Sequence, residues 1–181
     1  MEKEIIIEIG KHSDIKYEYD PYKKYIKVDR VLFGTEVYPQ NYGFFPNTLD
    51  WDGDPLDSLV IANHSFMPGS HLEARILGAM EMIDGGETDT KIISVFSGDP
   101  RLNHIKSIKD LPKYTLDEIS NFFSNYKKLQ GKEVVVKGFV GLKESKEVLK
   151  ECENLYKEYF DKMTKKEFIA KMMKEHPEKY K

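Results

Sequence analysis

The sequence predicts an α+β protein that is mainly β, an antiparallel or mixed barrel with helices attached, and three observations carry that expectation. Short apolar runs of strand length recur, with turn residues between them. Two strong amphipathic helical patterns follow in the second half of the chain. No repeat, low-complexity tract or linker interrupts the 181 residues, which suit one domain with an appendage.

Taken in order, "EIIIEI" at 4–9 and "IKYEY" at 15–19 read as strands, with Asp20-Pro21 as a turn. "YIKVDRVL" at 25–32 alternates polar and apolar residues and reads as a third. From Tyr38 to Asp57 the chain is rich in Tyr, Asn, Gly and Pro, and an irregular stretch is expected. "SLVIAN" at 58–63, "HLEARILGAMEMID" at 71–84, "TKIISVF" at 90–96 and "VVVKGFV" at 134–140 complete the strands, with a Gly-Gly turn after Asp84. In "TLDEISNFFSNYKKLQG", Thr115 and Glu118 suit a capping box, and Gly131 suits a C-terminal cap. Ile119, Phe122, Phe123, Tyr126 and Leu129 would form its apolar stripe. A second helix is expected from about Lys143 to Met163, with Val148, Leu149, Cys152, Leu155, Tyr156, Tyr159 and Phe160 at helical spacing. Thr164 and Glu167 suit a further capping box, starting a short helix that runs to His176. The expected division is a barrel domain with its helices over 1–163 and a helical extension over 164–181.

Apolar residues make up 40% of the chain, with 11 Tyr and 10 Phe, enough for a sizeable core. A net charge of −3 provides no global basic field for nucleic acid or an anionic membrane. The single cysteine, Cys152, excludes an intrachain disulfide and fits a reducing compartment. The apolar run in "MEKEIIIEIG" is too short, and broken by Glu8, to read as a signal peptide. No window approaches the roughly 20 apolar residues that span a bilayer. A cytoplasmic location is expected.

The segment "DWDGDPLD" places Asp50, Asp52, Asp54 and Asp57 around a Gly and a Pro. Turn chemistry alone explains Asp, Gly and Pro. Yet Asp57 leads into an apolar strand, and further acids recur at Asp84, Glu87 and Asp89, so a metal site is an equal contender. With no Cys or His nearby in sequence, the donors are hard carboxylate oxygens, suited to Mg²⁺, Mn²⁺ or Ca²⁺ rather than Zn²⁺. A calcium EF-hand starting at Asp50 fails on spacing, since Pro55 falls where Gly belongs and Ile61 where Glu belongs. A phosphatase with Asp52 as nucleophile competes, but the preceding "FPNTLDW" is not the hydrophobic strand such a site wants. An OB-type module binding single-stranded nucleic acid is a non-enzymatic rival, opposed by the acidity of these loops.

Carboxylate-held ions often serve phosphorylated substrates, which also need cationic and hydroxyl donors. Lys16, Arg30, Tyr38, Tyr42, Lys91, Tyr126 and Lys127 are available, with the acid Glu18 close to Lys16 in "IKYE". Singly, Lys16 and Arg30 read as solvated strand positions, Tyr126 as core and Lys127 as surface. Together with "DGDPLD", the segments "IEI", "IKYE", "VDR", "YPQNYGF", "MID…TDTK", "DPRLNHIK", "DLP" and "FFSNYK" resemble the soluble family I inorganic pyrophosphatases in order and spacing, over roughly residues 4–160.

The resemblance implies a five-stranded, OB-like closed barrel flanked by helices, with an extra C-terminal helix. It implies hydrolysis of pyrophosphate to two phosphates with several Mg²⁺ per subunit, for which Mn²⁺ or another divalent ion can substitute. It makes Asp52, Asp57 and Asp89 ligands of the tightest metal pair, with Asp57 bridging. Asp84 joins Asp89 for an ion arriving with substrate, and Asp54 is the general base. Glu8 and Glu18 line the phosphate side and hold a further ion through water. Lys16, Arg30, Tyr42, Tyr126 and Lys127 contact phosphate oxygens, while Tyr38 and Lys91 complete the pocket. Attack by an activated water, in line and without a covalent intermediate, is the implied route. A homo-oligomer is expected, with a hexamer favoured, and neither nucleic acid nor membrane as partner. The chain departs from the family pattern at Gly85, where an acid is usual, in starting at the first strand, and in its helix at 165–176.

Overall fold

The computed structural model describes residues 1–21 and 23–180. Eight strands are present: β1 (Glu2–Ile9), β2 (Ile15–Asp20), β3 (Tyr25–Val31), β4 (Asn41–Phe44), β5 (Asp57–Ile61), β6 (His71–Asp84), β7 (Glu87–Phe96) and β8 (Val134–Val140). Three α-helices follow or interleave: α1 (Lys113–Asn125), α2 (Leu142–Tyr159) and α3 (Lys165–Glu175).

Strands β1, β4, β5, β7 and β6 are hydrogen-bonded in that order, and β6 returns to β1, which closes a ring of five. The long β6 makes closure possible. Its first part, His71–Arg75, pairs with β1, and its later part, Ala79–Asp84, pairs with β8 outside the ring. The β5–β7 pair is parallel; the others are antiparallel. β2 and β3 form a separate two-stranded hairpin. This is the mainly β, mixed barrel that the strand runs predicted, closed as the resemblance implies.

Both faces of the inner strands are buried. On β5, Leu59 and Ile61 join a core cluster that includes Phe122 and Phe123 of α1, while Val60 joins one that includes Leu149 and Cys152 of α2. That two-sided burial explains why "LVI" is a continuous apolar run. A third cluster gathers Phe168 and Met172 of α3 with Leu49, Trp51 and Leu155. The apolar face of α3 therefore packs within its own chain, apart from Met173, which is exposed.

Four expectations are corrected. The irregular stretch from Tyr38 to Asp57 contains β4, whose four residues are all buried between β1 and β5. Helix α1 begins at Lys113 after Pro112, so Thr115 lies in the first turn and caps nothing. Leu129 leaves the apolar stripe and is 71% exposed, because the chain tightens into a 3₁₀ turn at Lys128–Gln130 that Gly131 ends with φ 67°. Helix α2 stops at Tyr159, short of Met163, and Asp161 turns the chain with φ 60°. The capping box of Thr164 and Glu167 is present as expected.

Candidate active site

The acidic loop between β4 and β5 is held by its own backbone. Asp50 N–H donates to Asp54 O at 2.7 Å, and Gly53 N–H donates to Asp50 O at 2.9 Å. Gly53 has φ 78°, a conformation that favours glycine. Asp52 Oδ1 accepts from the Asp54 amide, and Asp50 Oδ1 accepts from the Trp51 amide, each at 2.9 Å. Trp51 and Leu56 are buried and anchor the loop at both ends.

Strand register delivers the other groups. The parallel pairing of Ser58 with Ile92 sets Asp57 level with Lys91, and Asp89 shares a strand face with Lys91 two residues away. The Lys91 ammonium accordingly bridges both carboxylates, bonding Asp57 and lying 2.6 Å from Asp89 Oδ1. Tyr42 on β4 donates its hydroxyl to Asp57 Oδ2 at 2.5 Å. Asp84 closes β6, where the ammonium of Lys127 bonds it and the Tyr126 hydroxyl donates at 3.4 Å. Tyr38, Tyr42 and Tyr126 are buried in the aromatic cluster around Phe122, so a core position and a site position coincide in each.

Glu8 is aimed by a bulge. The β1–β4 register shifts between Ile7 and Ile9, and Glu8 turns inward to accept from the Tyr19 amide at 2.6 Å. That bond docks the β2–β3 hairpin, on which Lys16 pairs with Arg30 across the strands. Lys16 lies 2.5 Å from Glu18 and 3.5 Å from Asp29, and Arg30 lies 2.5 Å from Asp29. Among the described residues, the ion-pair partners of Lys16, Glu18 and Arg30 lie on the hairpin itself rather than on the acidic loop. Arg30 Nε is buried and finds no hydrogen-bond partner among the described residues.

Burial and crowding disturb the acids. Burial, then the charge of Asp57, pushes Glu8 up to about 8. Burial lifts Asp50 to about 7, with Asp89 adding to it. Burial, with Asp54 and Asp50, holds Asp52 well above the usual carboxylate range, and burial also raises Asp89 against the opposing pull of Lys91. Against its own burial, Lys91 is held well above its ordinary value by Asp57 and Asp89. Lys127 is lowered, because burial outweighs Asp84. Burial also raises the phenols of Tyr38, Tyr42 and Tyr126.

Among the described residues, no three His, Cys, Asp or Glu side chains are gathered into a ready metal cage. Lysine ammonium groups stand among the acids instead: Lys91 between Asp57 and Asp89, Lys127 at Asp84, and Lys165 at Asp54, 2.5 Å away. A set of hard oxygen donors that already attracts cations at three points fits divalent ions of the Mg²⁺ type. Three residues to which the sequence assigned no role take part. Asp29 sits beside Arg30 in "VDR" and holds both hairpin cations. Asp50 is buried against the Cys152 thiol, which donates at 3.5 Å. Lys165 reaches Asp54 from 111 residues away, a contact with no local signal.

Comparison with known proteins points to one family. The family model described as inorganic pyrophosphatase matches residues 5–157, a span that includes every candidate from Glu8 to Lys127. An inorganic pyrophosphatase of Malacoplasma penetrans is 58% identical over 181 residues, covering 100% of this chain and 99% of the relative. One of Mycoplasma pneumoniae is 52% identical, covering 98% of this chain and 96% of the relative. The crystal structure of inorganic pyrophosphatase from Thermus thermophilus superposes with a TM-score of 0.83 at 43% identity, covering 86% of this chain and 91% of that one.

Proposed function

The chain belongs to the inorganic pyrophosphatase family and is a hydrolase that splits pyrophosphate into two phosphates; from that premise we propose how its residues divide the work. Asp52, Asp57, Asp84 and Asp89 hold divalent cations, Mg²⁺ in the first place, several per subunit, with Mn²⁺ able to substitute. Glu8 and Glu18 add acidity on the phosphate side. Bound there, such ions neutralise phosphate charge and acidify a water molecule. Asp54, the most exposed acid of the loop, accepts the proton of the attacking water. Arg30 and Lys16 face the substrate's anionic end, and the partnerless Arg30 Nε is a donor suited to a phosphate oxygen. Tyr42, Tyr126 and Lys127 bind further oxygens, while Tyr38 and Lys91 complete the wall. Catalysis is then positioning plus electrostatics, and no protein nucleophile is required.

One observation carries this reading. The β5–β7 register brings Asp57, Asp89 and Lys91 to one point, where a cation already sits between two carboxylates. We further propose a homo-oligomer, a hexamer by resemblance, and a cytoplasmic location, which suits the buried free thiol of Cys152. Among the described residues no helix is long and apolar enough to cross a membrane. The test is phosphate release from pyrophosphate by wild type and Asp57→Asn, with and without Mg²⁺. Wild type is expected to require the ion, and the variant to lose at least about a hundredfold in turnover at saturating Mg²⁺. Near-normal turnover in the variant overturns the role given to Asp57.

A further inference from the structure

We propose that Lys165 is a positioning residue of the site, a tethered cation that competes with divalent ions for the acidic loop and so sets the concentration at which they bind. The proposal rests on the reading of that loop as a divalent-ion site. Lys165 belongs to α3, which begins beyond the matched span 5–157. The charge thus comes from a helix outside the span of the family model, although the Malacoplasma penetrans relative aligns with the whole chain.

The placement is built from several contacts. The capping box fixes the start of α3: Thr164 N–H donates to Glu167 Oε2 at 2.8 Å, and Glu167 N–H donates to Thr164 Oγ1 at 3.4 Å. One turn on, Phe168 and Met172 are buried against Leu49 and Trp51, which flank the acids. The Tyr180 hydroxyl donates to Trp51 O at 2.6 Å and pins the same loop from the far side of α3. Lys165 then lies across Gly53, with its Cγ 2.9 Å from where a Cβ would be, and its Nζ is 2.5 Å from Asp54 Oδ2.

The exposure of the pair decides its role. Lys165 and Asp54 are 48% and 56% exposed, whereas Lys91 is 5% exposed between its acids. A pair this open is weakly held and exchanges readily. Its charge still reaches the loop: Asp54, then Asp52 and Glu18, raise the Lys165 ammonium against its own burial. A divalent ion arriving among these acids meets that fixed positive charge and is repelled by it, a penalty that salt screens.

The experiment is calorimetric titration of MgCl₂ into the full chain, without substrate and at low ionic strength, for wild type, K165Q, K165M and K165R. K165Q and K165M are expected to bind Mg²⁺ roughly three- to tenfold more tightly than wild type. K165R is expected to match wild type, and the gap is expected to narrow as NaCl is added. Emission of Trp51, the single tryptophan, reports docking of α3 and is expected to be unchanged in all three variants. Equal or weaker binding by the two neutral variants overturns the proposal. No Mg²⁺ binding by wild type overturns the underlying reading of the acid cluster, an outcome distinct from the first.

Discussion

Lys91 and Lys165 both neutralise aspartates of one acidic cluster, yet they do so in opposite physical settings. Lys91 is carried by a central strand of the ring, is almost wholly buried, and bridges Asp57 and Asp89. Lys165 is carried by an appended helix, is half-exposed, and among the described residues pairs its charge with Asp54. Buried charge has no solvent to fall back on, so the first pair is part of the fold. Exposed charge keeps most of its hydration, so the second is an adjustable contact. The same ion-pair chemistry is structural in one place and regulatory in the other.

Removing Lys91 should produce the largest effect on stability. Lys91→Met leaves Asp57 and Asp89 without their shared cation, in company with the buried Glu8, and is expected to cost about 3–5 kcal/mol in the metal-free chain. Urea unfolding with and without Mg²⁺ checks this; the variant should recover more stability from the ion than wild type does. An unfolding free energy equal to that of wild type would erase the contrast between the two lysines. Lys165→Gln, by the same logic, should change the unfolding free energy by less than about 1 kcal/mol while shifting ion affinity.

A smaller and continuous test is pH. Burial raises Glu8 from 4.5 to about 8, and Asp50 from 3.8 to about 7. A carboxyl whose folded value is raised contributes stability that is whole below its unfolded value and is lost as pH rises through the folded one. The metal-free chain is therefore expected to melt at progressively lower temperature between about pH 5 and pH 8. Glu8→Gln should flatten that slope, and an identical slope in the variant would show that Glu8 does not carry it.

The two regions also differ in how much the sequence disclosed. The strand runs and the acids of the loop were legible because alternation and motif spacing are local properties, whereas closure of the ring, a long-range pairing of β1 with β6, came only with the family resemblance. β4 was not, since "NYGF" is four residues long and lies in a stretch whose Tyr, Asn, Gly and Pro content signals turns. The start of α1 was misread because Thr115 and Glu118 suit a capping box, whereas the helix begins earlier, at Lys113, with Pro112 at the N-cap. Leu129 fitted a helical stripe that a 3₁₀ turn rotates out to solvent. Lys165 was hidden for another reason: nothing in "TKKEF" identifies a partner at Asp54, and only the burial of Phe168 and Met172 against Trp51 brings them together. Gly85, unusual in the resemblance, has φ 60° and open space around it, so the turn after β6 is satisfied by backbone geometry without an acid.

Melting the substrate-free chain across a magnesium series tests the central claim most directly, that the loop acids form a site for divalent cations. A rise of about 5 °C or more by millimolar Mg²⁺ is expected, sharply reduced in Asp57→Asn. A melting temperature that stays constant across the series in wild type would contradict it.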